Sequence, residues 1–130
     1  MNRTTIVLVS ADVSATKPVR RCLEEAGYKV LHSNLGGNAL WIIQTERPAL
    51  IILDWGLPDV NSLAILRAIR AEEQTANIPV ILLGAKMHEE DVLLGLEIGA
   101  DLCLVEVFHP QVFVARVRSL LRRAEPLKLY

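Results

Sequence analysis

The sequence has few cysteines, histidines and aromatic residues, and it has no long hydrophobic run. Its two cysteines, Cys22 and Cys103, lie far apart without the spacing of metal ligands, so we expect two reduced thiols. The three histidines, His32, His88 and His109, are separated by predicted strands and helices, which argues against a shared zinc site. No apolar stretch has the length of a membrane span, and the first is too short for a signal peptide. We therefore expect a cytoplasmic protein that does not contact a membrane.

The charges of the chain are nearly balanced. Lys and Arg number 14, Asp and Glu number 15, and the net charge is -1, which argues against a domain that coats nucleic acid. The arginines near the C-terminus have no aromatic residues between them that would stack on bases, so no direct nucleic-acid contact is predicted. The 130 residues, 52% of them hydrophobic, fit one globular domain. We place it at residues 1–123, with residues 124–130 as a tail or the start of a linker.

Short apolar runs alternate with segments of helical pattern along the whole chain. The predicted strands are Ile6–Val9, Tyr28–Leu31, Leu50–Leu53, Val80–Leu83 and Leu102–Val105. The predicted helices are Val19–Ala26, Asn38–Thr45, Ser62–Ala71, Glu89–Ile98 and Pro110–Arg123. The strands are continuously apolar, which indicates that both faces of the sheet are covered. The pattern predicts an α/β fold, a doubly wound five-stranded parallel sheet flanked by five helices.

A carboxylate ends the third predicted strand, in the stretch IILDWGLPDV. In doubly wound sheets, functional sites lie outside the carboxyl ends of the strands. Asp54 therefore belongs to the predicted site. The residues expected beside it, after the first, fourth and fifth strands, are Ser10, Ala11, Asp12, Gly84, Glu106 and Val107.

Four segments carry a resemblance to a known family: PALIILDWGLPD, IPVILLGA, GLEIGAD and VFVARVRSLLRR. With these, the chain resembles a response-regulator receiver domain, the flavodoxin-like module of two-component signal transduction. It is most similar to receivers of OmpR-type winged-helix transcription factors. The resemblance implies a regulatory domain rather than an enzyme, with DNA binding in an output domain that is absent here. It also implies that Asp54 stands at the phosphoacceptor position.

The sequence departs from that family around the acceptor. In the family, two acidic residues and the acceptor hold Mg²⁺, a Thr or Ser follows the fourth strand, and a Lys-Pro pair follows the fifth. Ser10 and Ala11 stand at the acidic positions, and Gly84 stands at the hydroxyl position. Glu106 and Val107 stand in place of Lys and Pro. The resemblance therefore implies an atypical receiver with a degenerate pocket.

These departures predict that Asp54 is an inactive phosphoacceptor position, with no metal or other cofactor. Phosphoryl transfer depends on positioning and charge neutralisation, and Mg²⁺ demands near-octahedral ligands. Glu106 would place an anion where the family has a cation, a change worth several kcal/mol for charges about 4 Å apart. One alternative remains open. In this alternative, Asp12, with Asp59 nearby in sequence, would complete a weak Mg²⁺ site. Phosphorylation of Asp54 would then switch the domain.

Without phosphorylation, the domain is predicted to act through contact. The surface is that of the fourth helix, fifth strand and fifth helix, and the partner is a second copy or another protein. The interface residues predicted are Val92, Leu94, Glu97, Asp101, Leu102, Val112, Arg116, Ser119 and Arg123. Val92 and Val112 stand where OmpR-type receivers often have an ion pair, and an apolar replacement can be neutral or stabilising. The alternatives are scattered surface apolar residues and a stand-alone docking domain.

Four further expectations concern single residues. Pro18 falls within the family's first helix and is expected to move its start to Thr16 or Lys17, or to kink it. Trp41 is expected in the core, and Trp55 over the mouth of the pocket. Cys103 stands at the position of the family's switch aromatic, and we expect a buried thiol there.

Overall fold

The computed structural model describes residues 3–105 and 109–124. The strands are β1 (Thr5–Val9), β2 (Lys29–Ser33), β3 (Leu50–Asp54), β4 (Val80–Leu83) and β5 (Leu102–Leu104). The helices are α1 (Val13–Glu25), α2 (Gly36–Glu46), α3 (Ser62–Ala71), α4 (Glu89–Ile98) and α5 (Pro110–Ala124). All strand pairs are parallel, in the order β2-β1-β3-β4-β5. The predicted doubly wound sheet is confirmed.

The sheet has a hydrophobic core on each face. Val7 and Val9 of β1 pack on one face, with buried residues of α2 and α3. Ile6 and Leu8 alternate with them and pack on the other face, with buried residues of α1 and α5. Because successive side chains of a strand point to opposite faces, covering both faces requires every position of the central strands to be apolar. This packing explains the uninterrupted apolar runs in the sequence.

The expected late start of α1 is wrong. The helix begins at Val13, and Pro18 lies inside it. Asp12 is its N-cap, and its Oδ1 accepts a hydrogen bond from the Ala15 amide at 3.0 Å. An N-cap carboxylate satisfies an amide that has no partner within the helix, which favours a start directly after Asp12.

The expectation that Trp41 is a core residue is also wrong. Its side chain is 69% exposed, on the outward side of α2. The inward side is formed by Gly36, Ala39 and Ile43, which recur at helical spacing. In the run Leu40–Ile43, a helix of 3.6 residues per turn cannot direct every side chain inward.

The side chain of Arg70 joins the end of α3 to the end of α4 and to the start of β5. Its guanidinium donates to the carbonyls of Ala76, Ile78 and Gly99 at 2.6–3.0 Å. It also forms an ion pair with Asp101 Oδ2 at 3.0 Å. The same oxygen accepts a hydrogen bond from the Val80 amide at 2.8 Å. These contacts fix the end of α4 relative to the sheet.

Candidate functional site

The register of the parallel strands brings three of the predicted site residues to one edge of the sheet. Val9 pairs with Leu53, and Asp54 pairs with Leu83. Ser10, Asp54 and Gly84 therefore follow one another across the carboxyl ends of β1, β3 and β4. Asp54 is half-buried there. The structure brings these three residues together at the predicted edge, and their role as a functional site stays a prediction.

A hydrogen bond joins Ser10 to the carboxylate of Asp54. The Ser10 hydroxyl donates to Asp54 Oδ2 at 2.9 Å, and the Ser10 side chain is fully buried. The Gly56 amide approaches Asp54 Oδ1 at 3.5 Å. A neutral hydroxyl therefore stands beside Asp54, at the position where the resemblance places the family's metal-binding carboxylate.

The residues after β1 do not complete a magnesium site. Ala11 offers no ligand, and the carboxylate of Asp12 is used as the N-cap of α1. Among residues 3–105 and 109–124, no group of three His, Cys, Asp or Glu side chains could hold a metal ion. Mg²⁺ needs oxygen ligands in near-octahedral geometry. Among the described side chains beside Asp54, a hydroxyl and the single Asp54 carboxylate do not fit that ion.

Asp59 is bound to the N-terminus of α2. Its two carboxylate oxygens accept hydrogen bonds from the amides of Gly36 at 3.0 Å and Gly37 at 2.9 Å. The amides of Gly37 and Gly36 hold the pKa of Asp59 below its usual value. The loop after β3 is thereby attached to α2. Both carboxylates of the alternative metal site, those of Asp12 and Asp59, are engaged at helix N-termini.

We expect Asp59→Asn to make stability less dependent on pH. A carboxyl group whose pKa is depressed in the folded state stabilises the protein above its unfolded pKa of about 3.9. That stabilisation is lost as the pH falls through the lower, folded pKa. Unfolding by urea between pH 2 and 6 should show a shallower acid loss for Asp59→Asn than for the unchanged chain. Glu73→Gln, an exposed change in the turn after α3, is the control, and an equally shallow loss in it would contradict the assignment.

The space where a side chain at position 84 would lie is occupied by Trp55. A Cβ atom added to Gly84 would lie 2.6 Å from the Cβ of Trp55 and 3.5 Å from Met87 Cγ. The Trp55 amide donates to the Leu83 carbonyl at 2.7 Å, and its half-buried side chain packs against the core. Trp55 was expected over the mouth of the pocket, and the structure packs it on the end of β4. A Thr or Ser at position 84 would require Trp55 to move.

A cleft of about 550 Å³ opens beside Asp54. Gly84, Cys103 and Arg116 are among the residues that line it. Burial raises the pKa of the Cys103 thiol, so this thiol is a poor nucleophile at neutral pH. Glu106 and Val107, two predicted members of the site, lie outside the described residues, and their roles stay predictions.

The predicted interface residues differ in how far they reach the surface. Leu94 and Val112 are exposed, at 41% and 53%. Val92 and Leu102 are half-buried and pack against the two cores. Asp101 is exposed, but its carboxylate is bound to Arg70 and the Val80 amide. Of the remaining predicted residues, those that are exposed are Glu97, Arg116 and Arg123, and Ser119 is half-buried.

The predicted interface did not include two exposed leucines of α4. Leu93 is 58% exposed and Leu96 is 46% exposed. Gly95 is buried, and an added Cβ there would meet Leu82 at 2.6 Å. Since Gly95 marks the side of α4 that touches the sheet, residues at helical offsets away from it must face outward. Gly95 within VLLGL could have indicated from the sequence which leucines face outward.

The comparison with known families agrees with the observed fold. The family model described as the response regulator receiver domain matches residues 6–118. The chain belongs to the response-regulator receiver family. Within it, the chain is 36% identical over 122 residues to the phosphate regulon transcriptional regulatory protein PhoB of Pseudomonas aeruginosa, covering 94% of this chain and 53% of that protein. It is 37% identical over 120 residues to the alkaline phosphatase synthesis transcriptional regulatory protein PhoP of Bacillus subtilis, covering 92% and 49%.

Solved receiver structures have the same fold. The receiver domain of Francisella response regulator 1452 matches with a TM-score of 0.84 and 27% identity, covering 95% of this chain and 100% of that one. This chain spans about half the length of the curated relatives it matches. In the part of the receiver that the structure describes, no helix is long and apolar enough to cross a membrane.

Proposed function

We propose that this receiver is the regulatory domain of an atypical transcriptional response regulator and acts without phosphorylation, as an interaction and dimerisation module in the cytoplasm. In this proposal, residues 1–123 form the domain, and residues 124–130 are a tail or the start of a linker. The hydrogen bond from Ser10 to Asp54 carries the proposal. It satisfies the acceptor carboxylate with a neutral donor where Mg²⁺ and its ligands are needed for phosphoryl transfer.

The surroundings of Asp54 add support from two sides. Trp55 fills the space beside Gly84, so no hydroxyl can report a phosphoryl group from that position without a rearrangement. At the position where the family has a lysine, the sequence has Glu106. The negative charge of Glu106 would repel a phosphoryl dianion. A receiver with these features has lost both the metal and the readout of the phosphorylated state.

The surface of α4, β5 and α5 supports the proposed dimer. Leu93, Leu94 and Leu96 of α4 are exposed, as are Val105 after β5 and Val112 of α5. Clustered apolar residues of this kind on a folded domain mark interaction sites more often than single ones do. Because Val112 is apolar, no charged group at that position has to be desolvated when two copies meet.

Sedimentation of the protein without any phosphodonor tests this proposal. We expect the unchanged chain to dimerise and Val112→Asp to weaken the association at least tenfold, since it would bury a charge, a cost well above the 1.4 kcal/mol that a tenfold change represents. Val13→Asp on α1 is the matched control, because Val13 is 56% exposed and Val112 is 53% exposed. A monomer at high micromolar concentration, unaffected by Val112→Asp, would contradict the dimer.

A further inference from the structure

The outward surface of helix α2 has a tryptophan at its middle and no charged side chain before the last residue of the helix. Trp41 is 69% exposed, and its outward neighbours on the helix are Asn38, Gln44 and Thr45, which are all exposed. The only charged residue of α2 is its last, Glu46. The four other helices each expose charged side chains, for example Lys17 on α1, Arg67 on α3, Glu97 on α4 and Arg118 on α5.

This combination is typical of an interface rather than of a solvated surface. The buried centres of protein interfaces are depleted in charged residues and enriched in aromatic ones, and tryptophan is among the commonest energetic hot spots. An exposed Trp41 also leaves a large aromatic surface in water. The core does not need this side chain, because Gly36, Ala39 and Ile43 already form the inward side of α2.

Charges at the two ends of the helix indicate the occupant. Asp59 is fixed at the N-terminal end of α2 by its bonds to Gly36 and Gly37. Arg47 is the C-cap residue at the other end, and its guanidinium donates to Gln74 at 2.8 Å. Trp41 lies midway between these ends. Two copies of α2 that pack antiparallel about Trp41 would place Asp59 of each copy near Arg47 of the other.

We propose that the outward surface of α2 is a contact between two copies of this chain, separate from the proposed dimer surface of α4, β5 and α5. A strongly charged partner would have to desolvate its charges against the uncharged middle of this surface. A second copy brings the same uncharged middle, and its Asp59 would meet Arg47 at an end that also carries the exposed Glu46. One helix of 11 residues is about 16 Å long, so the contact is smaller than the roughly 800 Å² per partner of a standard interface. The association through α2 is therefore weak. It joins dimers that form through the surface of α4, β5 and α5.

Sedimentation equilibrium in a Val112→Asp background isolates this contact, because that change is placed to disable the other surface. We expect reversible self-association at several hundred micromolar, weakened at least tenfold by adding Trp41→Asp. Adding Val13→Asp instead, an exposed apolar residue on α1, should leave the association constant unchanged. A Val112→Asp protein that stays monomeric throughout, or whose association Trp41→Asp does not weaken, would overturn the proposal.

The antiparallel arrangement has its own test in the same background. Arg47→Glu should weaken the association several-fold at low salt, and the difference should shrink at 1 M salt, where charges are screened beyond about 3 Å. An association constant that is indifferent to Arg47→Glu at low salt would exclude this arrangement. The same measurements can refute one of the two proposed surfaces while supporting the other. If Val112→Asp leaves the self-association of the unchanged chain intact and Trp41→Asp abolishes it, the proposed dimer is refuted and the α2 contact is supported.

Discussion

Replacing Ser10 by Asp is expected to create a divalent-cation site beside Asp54, where we propose that the unchanged chain binds none. Ser10 lies with its Oγ 2.9 Å from Asp54 Oδ2, so a carboxylate at position 10 would stand directly beside that of Asp54. Two like charges about 4 Å apart repel by up to about 4 kcal/mol at an effective dielectric of 20, which destabilises the metal-free variant. A bound Mg²⁺ relieves this repulsion and stabilises the folded state by mass action.

Thermal unfolding with EDTA and with 10 mM Mg²⁺ measures this effect. Ser10→Asp should melt several degrees lower than the unchanged chain in EDTA and should recover most of the loss in Mg²⁺. The unchanged chain and Ser10→Ala should show no shift with Mg²⁺, and Asp54→Asn should remove the shift from Ser10→Asp. A Mg²⁺-dependent shift of similar size in the unchanged chain would show that a cation site already exists beside Asp54.

Removing the Arg70 side chain is expected to cause the largest loss of stability among exchanges outside the two cores. Its guanidinium holds the carbonyls of Ala76, Ile78 and Gly99 as well as the carboxylate of Asp101. Hydrogen bonds to charged groups contribute about 1.5–3 kcal/mol each, and they are not additive within one network. Since both charged partners are partly solvated, we expect Arg70→Ala to lower the free energy of unfolding by about 3 kcal/mol in total.

Urea unfolding measures that loss, and Arg67→Ala is the matched control. Arg67 lies one turn earlier on α3 and is exposed, so its removal should change the free energy of unfolding by less than about 0.5 kcal/mol. Hydrogen exchange adds a local measurement, since the amides at the C-terminal end of α4 should exchange faster in Arg70→Ala. Equal losses in the two variants would mean that Arg70 does not hold α4 in place.

The sheet and the centre of the site could be predicted from the sequence because both depend on local patterns and on topology. Apolar runs defined the strands, and parallel order then placed Ser10, Asp54 and Gly84 at one edge. The start of α1 was missed because Pro18 received more weight than the N-cap Asp12. The start of α1 is decided by the hydrogen bond that the Asp12 carboxylate accepts from the Ala15 amide.

Other features depend on contacts between segments that are distant in sequence. The attachment of Asp59 to the start of α2 joins residues more than twenty positions apart. The packing of Trp55 against Gly84 likewise requires the relative positions of β3 and β4. The exposure of Trp41 was the opposite error, in which hydrophobicity alone was taken to mean burial although the helical period left that position outside.

Intact-mass spectrometry after incubation with a small phosphodonor and Mg²⁺ is the most direct test of the central claim, that the Asp54 pocket cannot support phosphoryl transfer. An acyl phosphate on Asp54 would need a bound cation, and the Ser10 hydroxyl stands where the family has one of that cation's carboxylate ligands. We expect an unchanged mass under conditions that phosphorylate a typical receiver analysed in parallel. A stoichiometric gain of one phosphoryl group, absent from Asp54→Asn, would contradict it.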